Sequence, residues 1–346
     1  MQSASSVLNP VGDRLIIVMG FEQDTVSFSV VVPTYNEEAS ISSTLDSILS
    51  AHHPTQDLEI LVVDGRSKDS TREIVRKYTE QHTSISLYDN PNQDTPDAIN
   101  IGFEQSSGDI VVLVGGHSTV PRDFFTGICQ AFDCAPQAGV VGGLMEPSPS
   151  TYFETGVAIA LTTPIGASSK RFSEYEGYVD TVNYGAYKRE TIEKVGLMNT
   201  SLPRAQDYEY NRRARNEGIK IYQYPSISVK YKPRSNPRTL ASQYFGSGYW
   251  KTLVFREYDY YPISPTISAI GFLIVATMAV IITPVALAIT LYLILLFYST
   301  VSNLHRVESA KIRHIPASIT ALMIMHSAFA CGLLSGSLRK PRPDSE

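Results

Sequence analysis

Two long stretches without charged side chains set the strongest limit on what this chain can fold into. From residue 260 to residue 305 the sequence has no Asp, Glu, Lys or Arg, and a second such stretch runs from residue 314 to residue 338. A helix needs about 20 apolar residues to cross the hydrocarbon core of a bilayer. The first stretch is long enough for two crossings and the second for one. The C-terminal part of the chain is therefore predicted to lie in a membrane.

The first stretch is interpreted as a helical hairpin with arms at Ile267–Thr283 and Val285–Val301, separated by Pro284. One long helix kinked at Pro284 is the alternative, because proline is tolerated in membrane helices. The second stretch supplies a third segment at Ile315–Leu334, which either crosses the membrane or lies along its surface. The predicted membrane domain covers residues 262–338, with the hairpin at about 267–301 and the third segment at about 315–336.

Basic residues between the hydrophobic segments indicate the orientation in the membrane. Arg306, Lys311 and Arg313 lie between the second and third segments. Cytoplasmic loops carry an excess of Lys and Arg, so this loop is expected in the cytoplasm if the first stretch crosses twice. The apolar run Leu15–Met19 is shorter than the 7–15 residues of a secretory signal core. We therefore expect a multi-pass protein of the cell membrane with its preceding domain in the cytoplasm.

Before residue 260, short apolar runs alternate with amphipathic segments. Strands are predicted at Ser27–Val32, Leu58–Val63, Ser84–Tyr88 and Asp109–Val114. Helices are predicted between them at Ala39–Ser50, Ser70–Tyr78 and Asp97–Gln105. This alternation is typical of βαβ units, and it predicts an α/β domain with a mostly parallel sheet buried on both faces.

Residues with polar side chains or accessible backbone groups follow the predicted strands, at the strand ends where parallel sheets bind their ligands. They are Pro33, Thr34, Asn36 and Glu37 after the first strand, Asp64 after the second, and Gly115, Gly116 and His117 after the fourth. Asp64 can accept a hydrogen bond from a base N–H, and Asn36 or Glu37 can bond to ribose, so a nucleoside is a candidate ligand. Ordinary turn and helix-cap chemistry is the alternative. The sequence lacks GxGxxG and GxxxxGK[ST], which argues against dinucleotide oxidoreductases and P-loop ATPases.

The charge balance argues against a nucleic-acid partner. The formal net charge is −5 and the sequence pI is about 5.8. Nucleic-acid-binding domains usually carry a basic patch and a high pI. We therefore predict a chain that binds no nucleic acid.

Several segments in fixed order resemble glycosyltransferase family 2. VVVPTYNEE at Val30–Glu38 is followed by EILVVDGRSKDST at Glu59–Thr71 and by RAQDYEYNRRARNEG at Arg204–Gly218. The resemblance covers about residues 27–255 and is strongest to succinoglycan-type exopolysaccharide glycosyltransferases and to archaeal N-glycan assembly glycosyltransferases. It implies the GT-A fold, a Rossmann-like domain that binds nucleotide sugars, at residues 27–258. Residues 1–26 are then an N-terminal extension without an assigned function.

The resemblance also implies roles for individual residues. Pro33, Thr34, Glu37, Asp64, Gly115, Gly116 and His117 would bind the nucleotide sugar, with Asp64 on the base. Asp207 matches the catalytic base, which takes the proton of the acceptor hydroxyl in an inverting transfer. Glu209, Arg234 and Gln243 are candidates for binding the diphosphate or the acceptor.

The metal-binding motif of the family is altered in this chain. The family places a DxD motif at the end of the fourth strand, where it holds Mn²⁺ or Mg²⁺ on the diphosphate. Here the three positions are Gly115-Gly116-His117, so neither carboxylate of DxD is present. The succinoglycan-type subgroup has Asp-Ala-His, which His117 matches at the second site, whereas Gly115 lacks the first carboxylate. His117 can be a metal ligand, although a hard cation among phosphates prefers oxygen. The alternative is that His117 donates a hydrogen bond directly to a phosphate.

Together these features predict a membrane-bound inverting glycosyltransferase. Its donor would be a nucleotide sugar, and its acceptor a lipid-linked glycan of the polyprenyl or dolichyl phosphate type, in exopolysaccharide or glycoprotein N-glycan assembly. Membrane lipid and other glycan-assembly enzymes are the expected partners. One alternative is an enzyme that makes or uses a polyprenyl-phosphate sugar. The other is a non-catalytic nucleotide-binding scaffold, suggested by Gly115.

Overall fold

The computed structural model describes residues 26–53, 57–166, 170–258 and 284–338, together with positions 271 and 274. Residues 1–25 of the predicted N-terminal extension therefore lie outside the described residues. The same holds for nearly all of the predicted first membrane arm, Ile267–Thr283, and for the basic residues that follow residue 338.

The described residues form one mixed sheet of eight strands with helices on both faces and a helical layer at the C-terminal end. The strands are β1 (Phe28–Thr34), β2 (Leu58–Asp64), β3 (Ile85–Asp89), β4 (Ile110–Leu113), β5 (Ala138–Pro147), β6 (Gly177–Tyr178), β7 (Ala186–Lys188) and β8 (Lys220–Tyr231). The helices are α1 (Ile41–Ser50), α2 (Thr71–Gln81), α3 (Thr95–Gln105), α4 (Phe124–Cys134), α5 (Tyr152–Thr162), α6 (Arg189–Val195), α7 (Gln206–Asn216), α8 (Pro237–Glu257), α9 (Pro284–Asn303) and α10 (Ile315–Leu338).

The strand order is β3-β2-β1-β4-β7-β5-β8-β6. The first four strands in this order are parallel, as the alternating pattern predicts, whereas β7 and β6 run antiparallel to their neighbours. Thr34 pairs with Asp64, and Asp64 pairs with Asp89. The carboxyl ends of β1, β2, β3 and β4 therefore lie at one edge of the sheet. We call it the nucleotide edge, after the ligand that the sequence predicts there.

Apolar residues on both faces of the central strands hold this sheet in place. Val30 and Val32 of β1 pack with Ile41, Leu45 and Ile48 of α1, which recur at helical spacing. Val31 points to the other face and packs with α3. Fully burying a side chain of this size contributes about 1.5–3 kcal/mol, so the strand ends are held by a rigid core.

The C-terminal helices pack against the sheet domain through very close backbone contacts. A Cβ added to Gly332 of α10 would lie 2.1 Å from the carbonyl oxygen of Phe245, and one added to Gly248 of α8 would lie 2.2 Å from that of Phe329. The α10 helix also contacts α5, where Gly156 meets Ala317 at similarly short range. Small residues are therefore needed wherever α10 crosses its neighbours.

Within the described part of the chain, two helices are long and apolar enough to cross a membrane by length and composition: Ala288–Arg306 and Ile312–Leu338. The first includes most of the predicted second arm of the hairpin, and the second contains the predicted third segment. Large apolar side chains such as Leu291, Ile294 and Tyr298 on α9 are exposed. By contrast, α10 buries a full face, from Ala317 through Leu322 to Gly336, against the rest of the protein.

Candidate functional site

The loops after β1 and β2 are joined by hydrogen bonds from their own polar side chains. The carbonyl of Thr34 accepts from the Gly65 amide at 2.8 Å, and the Ser67 hydroxyl accepts from the Asn36 amide at 2.8 Å. Asn36 and Arg66 both have a positive φ, 54° and 58°. The two loops therefore form one shaped surface beside Pro33, which is half-buried at the end of β1.

Asp64 is fully buried at the centre of this surface. It accepts hydrogen bonds from the Ser67 amide at 3.0 Å and the Ser67 hydroxyl at 2.5 Å, and Arg72 reaches it at 2.7 Å. The same Arg72 nitrogen also bonds Asp89 at 2.7 Å. These contacts satisfy Asp64 within the protein and fix the loop after β2. A contact from Asp64 to a base stays a prediction.

Glu37 and His117 form an ion pair between the loops after β1 and β4, with 2.9 Å from Glu37 Oε1 to His117 Nδ1. The His117 side chain is 68% exposed, whereas that of Glu37 is 24% exposed. The hydrogen bond to Glu37 raises the pKa of His117, and Arg234 opposes this shift. Burial would raise the pKa of Glu37, but its hydrogen bonds to His117 and Ser40 bring it below the ordinary value. The contact with Glu37 thus favours the positively charged form of His117, whose side chain is exposed at this edge.

The two glycines before His117 differ in the space around them. A Cβ on Gly115 would meet the Ser118 hydroxyl at 3.3 Å and the His117 ring at 3.9 Å, so a side chain fits there. Gly116 is buried, and its Cβ would meet Thr34 and Glu37 at 3.2–3.3 Å. Gly115 therefore leaves open the place where the family motif has its first carboxylate.

Asp207 lies in the first turn of α7, and its carboxylate accepts from the Tyr208 amide at 2.8 Å. No Arg, Lys or His of the described ranges lies within 4 Å of this carboxylate. Burial lowers the pKa of Lys251, and the charge of Asp207 partly offsets this lowering. The ring of Tyr208, the residue after Asp207, lies 5.1 Å from the Lys251 ammonium.

Glu209, one of the predicted ligand-binding residues, has a different environment. Its side chain is 1% exposed, and it accepts from Arg213 Nε at 2.6 Å and from the Tyr258 hydroxyl. Tyr258 follows the last residue of α8. These contacts join α7 to the end of α8, so Glu209 acts in the attachment of the C-terminal layer.

Arg234 and Gln243, the other two residues predicted to bind the diphosphate or the acceptor, contact each other. Arg234 Nε donates to Gln243 Oε1 at 3.1 Å, and Gln243 Nε2 donates to the Tyr231 hydroxyl at 3.1 Å. The charge of Arg234 reaches His117, as its effect on that pKa indicates. This chain of contacts connects the nucleotide edge to the start of α8.

Next to it lies a cavity of about 270 Å³ under α10. Tyr184 lines the cavity, and its hydroxyl accepts a hydrogen bond at 3.1 Å from the hydroxyl of Ser118, the residue after His117. Polar and charged side chains reach the cavity at Arg171, Asn183, Gln243, Ser247, Lys251 and His326. We call it the roofed cavity. Among these residues, sequence reasoning identified only Gln243 as a site residue. The spacing of Gln243, Ser247 and Lys251, four residues apart on one helix face, is the sequence signal that could have revealed the others.

Comparison with known proteins identifies the chemistry. Residues 29–196 match the family model described as "Glycosyl transferase family 2". The chain is 26% identical over 319 residues to a dolichyl N-acetyl-alpha-D-glucosaminyl phosphate 3-beta-D-2,3-diacetamido-2,3-dideoxy-beta-D-glucuronosyltransferase of Methanococcus voltae, covering 90% of this chain and 97% of the relative. The protein is a glycosyltransferase. It contains a glycosyltransferase family 2 domain, as the motifs predict.

Other relatives of this glycosyltransferase agree with the resemblance found in the motifs. It is 24% identical to the succinoglycan biosynthesis protein ExoA of Rhizobium meliloti over 231 residues, which are 66% of this chain and 69% of the relative. Its structure is similar to that of a mannosyltransferase from Pyrobaculum calidifontis solved with GDP-Man and Mn²⁺. The TM-score is 0.61 at 19% identity, over 90% of this chain and 87% of the other. The expected GT-A fold is confirmed.

The residues of the glycosyltransferase do not fit a metal held by protein carboxylates. No group of three His, Cys, Asp or Glu side chains suited to a metal ion occurs within the described part of the chain. At the end of β4 the donor set is one imidazole and one carboxylate, and these two bond each other. Mg²⁺ and Mn²⁺ favour oxygen ligands. The predicted Mn²⁺ or Mg²⁺, with His117 as its ligand, therefore stays a prediction, and no step below depends on it.

Proposed function

We propose that this glycosyltransferase transfers a sugar from a nucleotide-activated donor to a lipid-linked glycan, with inversion at the anomeric carbon. The observation that carries the proposal is the direct connection between the nucleotide edge and the roofed cavity, through Ser118 and Tyr184. One side has the loop surface and cation for a nucleoside diphosphate. The other side lies under an apolar helix, where an acceptor anchored in a bilayer can reach it.

In this mechanism Asp207 acts as the general base. It removes the proton of the acceptor hydroxyl as the hydroxyl oxygen attacks the anomeric carbon, and the bond from that carbon to the diphosphate oxygen breaks. The nucleoside diphosphate leaves with the bonding electrons, so negative charge grows on its oxygens. A positioned cation stabilises such charge most when it is fixed in advance. His117, held by Glu37, and Arg234 supply that charge.

The acceptor class is supported by the relative from Methanococcus voltae, whose name describes a dolichyl phosphate-linked acceptor. The succinoglycan relative supports a role in polysaccharide assembly as the second setting for the same reaction. A tethered acceptor also benefits physically, because confinement near the site replaces a search through bulk solution.

The membrane arrangement we propose places α9 across the bilayer and α10 at its cytoplasmic surface. The connection between them touches the sheet domain, since the Tyr152 hydroxyl donates to the carbonyl of Arg313 at 2.8 Å. This supports a cytoplasmic loop, as its basic residues predict. The α10 helix lies along α8 and α5, which favours a surface position over a crossing.

The test is nucleotide release by the detergent-purified protein with a panel of nucleotide sugars and a polyprenyl-diphosphate glycan acceptor. We expect acceptor-dependent release from one donor. Asp207→Asn should lower the rate by about 10²–10⁴-fold, the usual contribution of a general base. Glu190→Gln, an exposed carboxylate on α6, is the matched control and should leave the rate unchanged. Full activity of Asp207→Asn would overturn the assignment of the base.

The same assay separates the remaining alternatives. A product that is a single sugar on a lipid phosphate would indicate a polyprenyl-phosphate sugar synthase. Absence of release with every donor, together with retained nucleotide binding, would indicate a scaffold. Comparison of the release rate with and without EDTA reports whether a divalent metal takes part.

A further inference from the structure

We infer that the roofed cavity binds the phosphate group of a lipid-linked acceptor between Arg171 and Lys251. The inference rests on the proposed function and names the acceptor subsite of the same enzyme. The charges in the cavity are unbalanced. Arg171 and Lys251 both line it, and no Asp or Glu of the described residues does.

Arg171 belongs to a single 3-10 turn, Lys170–Phe172, that follows α5. Its Nη1 donates to Asn183 Oδ1 at 3.0 Å, which fixes the guanidinium against the loop before β7. Its Nε is buried and has no hydrogen-bond partner in the described structure. A buried N–H without an acceptor is costly, and a bound ion is one of the explanations for it. The Arg171 guanidinium is therefore held in place by Asn183, and its Nε–H group still lacks an acceptor.

Lys251 comes from the opposite wall. Its ammonium lies 5.1 Å from the centre of the Tyr208 ring and 6.0 Å from that of Phe329, so aromatic faces surround it. Burial and the neighbouring charge of Arg171 lower its pKa to about 8, although Asp207 acts in the other direction. The protein thus keeps two like charges close enough to disfavour each other. An anion between them would remove that conflict.

The stripe of α8 that carries Lys251 also suits an oxyanion. Gln243, Ser247 and Lys251 face the cavity at successive turns. Ser247 offers a hydroxyl, and arginine matches the geometry of phosphate oxygens. His326 does not take part directly, because its two ring nitrogens already contact the Tyr292 hydroxyl at 2.7 Å and the carbonyl of Ile165 at 2.8 Å.

The apolar wall of the cavity indicates which chemical group is attached to the bound phosphate. Apolar side chains complete the cavity at Met145, Leu161, Ile165, Phe172, Met325 and Phe329. Its roof is α10, an uncharged helix with Met323 and Leu334 exposed on its outer face. A phosphate that enters here therefore arrives beside lipid. The volume of about 270 Å³ lies just below the usual range for small-molecule sites, about 300–1,000 Å³. It suits the phosphate and its first attached group, with the lipid tail outside.

The position of the cavity relative to Asp207 indicates what a bound phosphate would do in the reaction. Lys251 lines the cavity, and its ammonium lies 5.1 Å from the ring of Tyr208, the residue that follows Asp207. A phosphate held by Lys251 and Arg171 would therefore place the sugar attached to it near the predicted base. Both cations act as positioning residues for the acceptor.

Binding is tested with polyprenyl monophosphate in detergent micelles. Trp250 is the single tryptophan of the chain and precedes Lys251, so its fluorescence serves as the readout. We expect Arg171→Gln and Lys251→Met each to raise the dissociation constant at least tenfold. Lys251→Arg should restore most of the affinity. The matched control is Lys170→Gln, because this neighbouring lysine lies over the Tyr175 ring at 3.4 Å.

Two further ligands distinguish the source of the phosphate. Polyprenol, which lacks the phosphate, should bind at least tenfold more weakly than polyprenyl monophosphate. Inorganic phosphate should also bind at least tenfold more weakly. Equal binding of polyprenol would overturn the inference, and equal binding of inorganic phosphate would overturn the lipid assignment. Unchanged affinity in both cation variants, with normal thermal unfolding, would overturn the site itself.

The outcome is separable from that of the proposed function. Asp207→Asn should bind the lipid phosphate as the wild type does, although it does not transfer sugar. Sugar transfer to a lipid-linked acceptor with an unchanged KM in Arg171→Gln and Lys251→Met would contradict the subsite and leave the function standing. Binding that depends on both cations, without transfer from any donor, would contradict the function and leave the subsite standing.

Discussion

The nucleotide edge and the roofed cavity are neighbours, but their charged side chains are paired differently. At the edge, Asp64 is matched by Arg72, and Glu37 is matched by His117. The cavity is lined by Arg171 and Lys251 together with apolar side chains, and no Asp or Glu of the described residues lines this space. At the edge, each of these two carboxylates already has a cationic partner in the protein. In the cavity, the bound phosphate that we infer would supply the missing negative charge.

The two regions also differ in how they are attached. The edge is anchored by parallel strands with a buried core on both faces. The cavity depends on α8 and α10, whose contact requires glycines, and on the hydrogen bond from Tyr258, just after α8, to the Glu209–Arg213 pair of α7. Changes in these attachments should affect the cavity and leave the edge intact, and this separation can be tested.

The largest effect is expected from Glu209→Ala. It would leave Arg213 without its buried partner and remove the acceptor of the Tyr258 hydroxyl. Breaking a buried pair on one side costs about 3–5 kcal/mol, so the unfolding midpoint in denaturant should fall clearly. Glu217→Ala is the control, because its pair with Lys194 spans 3.9 Å at the surface and should matter by less than about 1 kcal/mol. A small effect of Glu209→Ala would return Glu209 to the candidates for ligand binding.

A smaller loss of stability is expected from Gly332→Val in α10. The added Cβ would collide with the carbonyl of Phe245, so α8 and α10 must move apart. Overpacking of this kind costs about 1–3 kcal/mol. Acceptor-dependent turnover should fall more than nucleotide-sugar binding, measured by calorimetry, because only the cavity is opened. Cys331→Val, on the exposed side of the same turn, should change neither quantity. An equal loss of nucleotide binding would show that the two regions are not separable.

Sequence reasoning succeeded where local pattern determines structure. The apolar run at Ser27–Val32 and the helical spacing at Ala39–Ser50 predicted the strand Phe28–Thr34 and the helix Ile41–Ser50. Strand ends in a parallel sheet meet at one edge whatever the loops contain, so the position of the motif residues follows from the sequence, whereas their roles stay predictions. The antiparallel insertion of β7 between β4 and β5 was not predictable in this way, because it depends on pairing between distant residues.

The cavity was missed for a related physical reason. Arg171, Tyr184 and Lys251 come from three separate segments, and nothing local connects them in sequence. Lys251 and Gln243 also lie in an aromatic segment before the membrane, which a belt at the bilayer surface explains equally well. Glu209, next to the predicted base, was an ambiguous candidate because its burial depends on Tyr258, far along the chain.

A moderate kinetic effect is expected from His117→Gln. The bond to Glu37 raises the pKa of His117, so the imidazolium persists to higher pH, and its charge is lost as pH rises through that raised pKa. Transfer should therefore decline toward alkaline pH in the wild type. The variant should be about tenfold slower near neutral pH, equivalent to about 1.4 kcal/mol, and should lack this decline. His52→Gln, an exposed histidine outside the site, should retain the wild-type profile. An alkaline decline that survives in His117→Gln would assign it to another group.

The smallest structural disturbance is expected from Gly115→Asp, which asks whether the edge can be converted to carboxylate-based metal binding. The nearest atoms to the new Cβ are the Ser118 hydroxyl and the His117 ring, at ordinary contact distances or slightly less, so the fold should tolerate the change. A carboxylate here would stand beside Glu37 and His117 and complete a set of three potential ligands. Mn²⁺ should then bind measurably in the presence of a nucleoside diphosphate, and turnover should become at least threefold more sensitive to EDTA. Gly115→Asn has the same shape without the charge and should show neither change. If the two variants behave alike, the missing carboxylate is not what distinguishes this edge, and the charge of His117 and Arg234 alone would have to account for departure of the diphosphate.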